Sequence, residues 1–249
     1  MPVTDLDLYL FDLQGFLVLR EVLGKIQIAE LNELIDANLK TVPGEGLESQ
    51  VFQDFLLWGE PLRNLLSHRR VMDLLHKIVD EKIRLDRCYG LHMAPGTSGV
   101  PLHGGAKDVE DQSEYYSCSD GRIRNGITTV IWSLTDMLPD HGGFACIPGS
   151  HKSLLPRPAS LNEVESLVPV SLKAGDVLVF TGALAHAGMR WIGPHTRRSL
   201  LFKYAPRHIA WGKFYFSWPT ELLDLLTPEQ RHLFDPPHCF EHTGIGVGT

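Results

Sequence analysis

The chain has 249 residues, 43% hydrophobic and 21% charged, an ordinary balance for one large globular domain with a sizeable core. A net charge of −7 without a clustered basic run argues against nucleic acid as the main partner. No apolar stretch is long enough to span a bilayer, and the expected partner is a small molecule.

In chain order, Phe11-Asp12-Leu13-Gln14 reads as a short helix or turn, followed by a strand after Gly15. Residues 25 to 39 place Ile28, Leu31, Leu34, Ile35 and Leu39 at helical spacing, which predicts an amphipathic helix. A second apolar face, Leu62, Leu65, Leu66, Val71, Leu74, Leu75 and Ile78, predicts helix from about Pro61 to Asp80. Pro43-Gly44-Glu45-Gly46 breaks the chain between the two.

After Asp80 the pattern changes to short apolar or β-branched runs punctuated by Gly, Pro and Asp. Strands are predicted at Arg84 to Met93, Gly126 to Leu134, Phe144 to Ile147, Val168 to Leu172, Asp176 to Phe180 and Ser199 to Tyr204. Short strands with regular turn signals favour a sandwich or barrel over an alternating α/β fold. The expected organisation is one domain with a helical part (1–82), a β core (83–206) and a C-terminal extension (207–249). The polar, Tyr-bearing stretch from Gly104 to Arg124 reads as a loop over a pocket mouth, and the tail from Gly244 as frayed. Four scattered cysteines without a CxxC pair, and an N-terminus without a basic leader and apolar run, suit reduced thiols in the cytoplasm.

Four residues stand out chemically. His103 ends an extended approach, Val100-Pro101-Leu102, and precedes Gly104-Gly105, which suits a ligand facing a cavity. His186 follows the turn and core strand Gly175-Asp176-Val177-Leu178-Val179-Phe180 by six residues. Arg197 and Ser199 open a strand on the same face, with Arg198 opposite, so a guanidinium and a hydroxyl can hold one carboxylate. Each signal taken singly also fits a histidine or arginine with a structural task.

These residues sit in a larger pattern. The opening Phe11…Gly15-Phe16-Leu17-Val18-Leu19, the block Ser133-Leu134-Thr135-Asp136, the run Gly142-Gly143-Phe144-Ala145-Cys146-Ile147-Pro148-Gly149-Ser150-His151-Lys152, and Gly175-Asp176…His186…Arg197 together resemble the phytanoyl-CoA dioxygenase family of Fe(II)/2-oxoglutarate oxygenases. The resemblance implies a double-stranded β-helix (jelly-roll, cupin-like) core, Fe(II) held by His103 and His186, and Arg197 on the distal carboxylate of 2-oxoglutarate, with O₂ as co-reactant. Ser199 as helper follows from strand alternation. His151 reads as a turn-stabilising residue.

One position departs from the family pattern. The family carries His-x-Asp at its first ligand site, whereas this chain has His103-Gly104-Gly105. Gly105 therefore vacates the carboxylate position. Three outcomes stay open: a halide such as chloride fills the vacancy, as in the halogenases that carry Gly or Ala there; water or a loop carboxylate (Asp108, Glu110 or Asp111) fills it and the enzyme hydroxylates; or the protein is a non-catalytic binding module. A cupin-like metal-dependent isomerase is a further alternative, with His92, His141, His151 and His195 as the remaining histidines near the motifs. The substrate and the oligomeric state are not written in the sequence.

Overall fold

A computed structural model describes residues 2–39, 49–105, 113–155, 157–158, 166–212 and 218–239. Helix α1 (Asp5–Gln14) starts at a reciprocal cap, in which Thr4 accepts from the Asp7 amide and Asp7 accepts from the Thr4 amide. Strand β1 (Phe16–Leu19) follows at once, then α2 (Lys25–Asn38) over the predicted periodic stretch. After β2 (Ser49–Phe52), the second predicted helix is divided into α3 (Glu60–Arg63) and α4 (Arg69–Ile78). The chain turns between them at Leu65 and Leu66, whose side chains both stay buried.

The β core comprises β3 (Ile83–Met93), β4 (Val100–His103), β5 (Tyr116–Ser119), β6 (Arg122–Asn125), β7 (Thr128–Ser133), β8 (Gly143–Cys146), β9 (Val168–Pro169), β10 (Val177–Thr181), β11 (His186–Met189) and β12 (Arg197–Pro206). The larger sheet runs β1-β10-β7-β12-β3-β2 and the smaller one β4-β11-β8-β9. All their pairings are antiparallel, and they form the jelly-roll of a double-stranded β-helix. The N-terminal part is thus not only helical, because β1 and β2 supply both edges of the larger sheet.

Alternation sorts the larger sheet's side chains into two cores. Val130, Trp132, Val177, Val179, Leu200, Phe202 and Tyr204 pack outward against the helices. Ile131, Leu178, Phe180 and Leu201 point inward to meet Phe144 and Cys146 of the smaller sheet. The rule breaks once: Lys203 pairs with Arg87 but Tyr204 pairs with Leu85, leaving Asp86 as the extra residue of a bulge. Its buried carboxylate accepts from Arg84 and Arg87 and from the Trp211 amide, which ties down the C-terminal extension.

The stretch read as a loop before Arg124 is, where described, the hairpin β5–β6. Asp120-Gly121 forms its two-residue turn with φ of 53° and 71°, the mirror-image turn that matches strand twist. The four cysteines are free, and among the described residues no helix is long and apolar enough to cross a membrane.

The motif residue Asp176 has a structural task. It is 1% exposed, and it accepts from Arg20 and from the Glu21 and Lys173 amides at 2.7–2.9 Å, clamping the turn before β10 to the end of β1. Replacing it with alanine removes all three of these hydrogen bonds. Asp176→Ala should lower the unfolding free energy by about 3 kcal/mol, measured by urea titration, with β1 the first element to lose amide-exchange protection.

Candidate metal and cosubstrate site

Strand β11 lies between β4 and β8, and its register places His186 directly opposite His103. The two rings have centroids 4.2 Å apart. Two imidazoles at right angles on one metal, with bonds of about 2.1 Å, have ring centres roughly 4.5 Å apart, so the pair fits one ion.

Their hydrogen bonds fix the tautomers. Nδ1 of His186 lies 2.7 Å from the Leu184 carbonyl, and Nδ1 of His103 lies 2.8 Å from the Pro101 carbonyl. A carbonyl only accepts, so Nδ1–H donates in both rings and each Nε2 keeps its lone pair for a ligand bond. Burial first, then the charges of His103 and Lys203, push the His186 imidazole down to about 3. It is neutral through the physiological range, as a metal ligand must be.

Both histidines line a cavity of about 360 Å³ between the two sheets. Arg197 lines the same cavity and is 4% exposed. Its Nη1 meets only the weak acceptor Met93 Sδ, at 3.5 Å, and its Nε has no partner among the described residues. The Ser199 hydroxyl is equally buried and equally unmet. Burial pushes the Arg197 guanidinium down to about 10, with Tyr89 opposing the shift, and it stays charged at neutral pH. A buried cation with unmet donors beside an unmet hydroxyl is a receptor for a carboxylate. Arg198 points the other way, to Asn32 and Asp36 on α2.

The phytanoyl-CoA dioxygenase (PhyH) family model matches residues 11–199. The chain belongs to this family. Among curated relatives, dioxygenase cdmD of Talaromyces verruculosus is 26% identical over 193 residues, covering 74% of this chain and 61% of its own length. The chain thus spans about three-fifths of that relative. HygX from Streptomyces hygroscopicus, solved with nickel and 2-oxoglutarate, superposes with a TM-score of 0.76 at 24% identity, over 88% of this chain and 94% of its own. The α-ketoglutarate-dependent epimerase SnoN from nogalamycin biosynthesis follows at 0.60 and 20% identity, over 82% of this chain and 83% of its own. At such identities these likenesses carry the fold, and they match the double-stranded β-helix expected for the family.

Among the described residues no third His, Cys, Asp or Glu joins the histidine pair. The loop carboxylates Asp108, Glu110 and Asp111 lie outside the described residues. Gly105 has φ +109°, a left-handed backbone that a side chain rarely adopts, and a Cβ there would meet only Ala185 Cβ, at 3.7 Å. The position has room, but an aspartate would sit on a strained backbone. Gly104 is the tighter neighbour: at φ +70° its Cβ would lie 2.7 Å from the Leu184 carbonyl that orients His186. Arg157 donates to the Gly104 carbonyl at 3.1 Å, bringing a cation to this turn.

Of the other histidines, His151 holds the Pro-Gly-Ser-His turn to α1. Its Nε2–H donates to the Asp12 carbonyl at 3.1 Å, while Tyr116 and Lys152 bind the Asp12 carboxylate. His195 binds the Asp136 carbonyl, and His92 receives a hydrogen bond from Arg198. Two cavity residues escaped the sequence reading, Tyr89 and Lys203. Lys203 shares the parity of Arg197 and Ser199 on β12, a signal already present in the alternation.

Two measurements test this geometry. Gly104→Ala should weaken Ni(II) binding about 10-fold or more by displacing the Leu184 carbonyl, whereas Gly105→Ala should cost stability but little metal affinity, as read by calorimetry. Burial pushes His151 down to about 4, so between pH 6.5 and 4 the unfolded chain takes up a proton that the folded one refuses. Stability should fall with pH across that window, less steeply in His151→Gln, in a comparison of melting temperatures.

Proposed function

We propose that this protein is an Fe(II)/2-oxoglutarate-dependent oxygenase that oxidises a C–H bond of a small organic molecule. The observation that carries the reading is a buried guanidinium with unmet donors in the same cavity as two imidazoles with free Nε2 atoms. His103 and His186 would hold the iron, and Arg197 with Ser199 would hold the distal carboxylate of 2-oxoglutarate. Bound Fe(II), with 2-oxoglutarate and O₂, supplies an oxidant strong enough for an unactivated C–H bond. The chain's own contribution is to fix both tautomers, seat the cosubstrate in one register and keep the cavity largely walled by apolar side chains. The dioxygenase name of the curated relative, and a HygX structure that contains hygromycin B, support a small-molecule oxidation.

The vacancy at Gly105 favours a second, finer reading in which chloride occupies the third protein-ligand position and the product is halogenated. Its support is the open, left-handed turn at Gly105, the absence of a carboxylate as third ligand among the described residues, and the Arg157 cation at the adjacent carbonyl. Water in the same place would give hydroxylation.

Anaerobic titration of the Fe(II) protein with 2-oxoglutarate, followed by its visible absorption, tests the main reading. Arg197→Ala should weaken cosubstrate binding by about 30-fold or more, the cost of stripping a charged partner from a buried carboxylate. Unchanged affinity in that variant would remove Arg197 from the site. Repeating the titration in chloride and in nitrate at equal ionic strength separates the two finer readings: a chloride-specific spectral shift favours halide ligation, and identical spectra favour water.

A further inference from the structure

The two imidazoles of the site are held very unequally. His186 is 9% exposed on β11, which has a strand on either side, and its ring packs against Phe180 and Phe144 at centroid distances of 4.7 and 5.7 Å. His103 is exposed, and it is the last residue of β4, the edge strand of the smaller sheet. An edge strand keeps one row of backbone groups without a ladder partner, and strand ends open more easily than strand centres. From within its own strand, His103 is oriented by the Pro101 carbonyl. That bond sets the ring but does nothing for the free edge.

Arg157 supplies what that edge lacks. Its Nη1 donates to the Gly104 carbonyl at 3.1 Å, and its Nη2 lies 3.5 Å from the Leu102 carbonyl, a longer and weaker contact. These carbonyls belong to the residues on either side of His103. One planar guanidinium thus spans the backbone of the ligand, a two-pronged grip for which the rigid fork of arginine is suited. The side chain comes from the segment after β8, which is itself anchored at several points. The Ile147 amide donates to the Ala185 carbonyl at 2.9 Å, and the Ala185 amide donates to Ser150 Oγ at 2.8 Å. His151 and Lys152 fix the same segment to Asp12 on α1. Ala185 immediately precedes His186. One segment therefore holds the neighbour of one histidine and, through Arg157, both neighbours of the other.

We infer that Arg157 is a positioning residue for His103: it braces the free edge of β4 so that this imidazole stays in register with His186 before a metal arrives. Arg157 is not among the residues that line the cavity, so it acts on the metal through the backbone of β4. A strand already ordered in the free protein does not have to be ordered at the expense of the ligand bonds, which raises affinity. The segment that opens with Pro-Gly-Ser-His thereby has a task beyond shaping a turn, since its far end sets how rigidly the exposed histidine is presented. The inference rests on the oxygenase reading above, from which it takes the two histidines as metal ligands.

Hydrogen exchange and calorimetry on the full chain test it. In metal-free protein, Arg157→Ala should speed amide exchange across β4 by about 5-fold or more while β8 is unchanged. Ni(II) affinity should fall about 10-fold in the same variant. The melting temperature of the metal-free protein should move by less than about 3 °C, because an exposed contact contributes little to global stability. Arg157→Lys, which keeps the charge and can reach one carbonyl, should recover part of the lost affinity. Unchanged Ni(II) affinity or unchanged β4 exchange in Arg157→Ala overturns the inference. A larger drop in melting temperature overturns it too, because Arg157 would then hold the fold and not one ligand. So does an Arg157→Lys variant no better than Arg157→Ala, since a donor at this position would not be what counts. A wild type that binds no nickel defeats the oxygenase reading, and β4 exchange in the metal-free protein then decides the Arg157 inference by itself.

Discussion

The site depends on one pairing, that of β11 with β4. These strands are far apart in sequence, and only their register sets His186 opposite His103. Side chains alternate with a period of two, so a slip of one residue would turn one imidazole out of the cavity and replace it with Ala185 or Ala187. The bonds from each Nδ1–H to a carbonyl two residues earlier then aim the rings from within their own strands. Gly104 fits between them because anything larger would press on the Leu184 carbonyl. Register, ring orientation and tautomer are therefore three consequences of one short stretch of ladder.

The second constraint is electrostatic. A guanidinium that is 4% exposed and has no acidic partner among the described residues is costly to bury, and the fold accepts that cost on β12, where the ladder to β3 and β7 holds the backbone rigid. The contrast with Arg198, the next residue, is instructive: facing the helices, it finds Asn32 and Asp36 at once. Adjacent arginines on one strand thus divide the work, one tying the sheet to α2 and the other left with donors for an anion.

Much of this was readable in the residues. Periodicity located α2 and α4, Gly175-Asp176 announced β10, and alternation separated Arg197 from Arg198. The failures have physical causes. The β5–β6 hairpin is polar and exposed, so hydrophobic pattern says nothing about it, although Asp120-Gly121 is a hairpin signal in its own right. The histidine register is a tertiary property, since nothing near His186 states which strand will pair with it. Conversely, the motif residues Asp176 and His151 serve the scaffold, holding the turn before β10 and the turn after β8. The unmet donors of Arg197 became visible only in three dimensions, because a sequence does not show which side chains lack partners.

The bulge at Asp86 has a wider meaning for how this chain tolerates change. Upstream of it on β3, Ile83 and Leu85 belong to the core under the helices; downstream, Tyr89, Leu91 and Met93, of the same parity, face the cavity. A single additional residue thus acts as the point where the strand exchanges inside for outside. A deletion there would invert one half of β3 relative to the other, putting greasy side chains where the wrong layer waits for them. Length along this strand is consequently more tightly constrained than residue identity, and chains that share this architecture should vary in their side chains here long before they gain or lose a position.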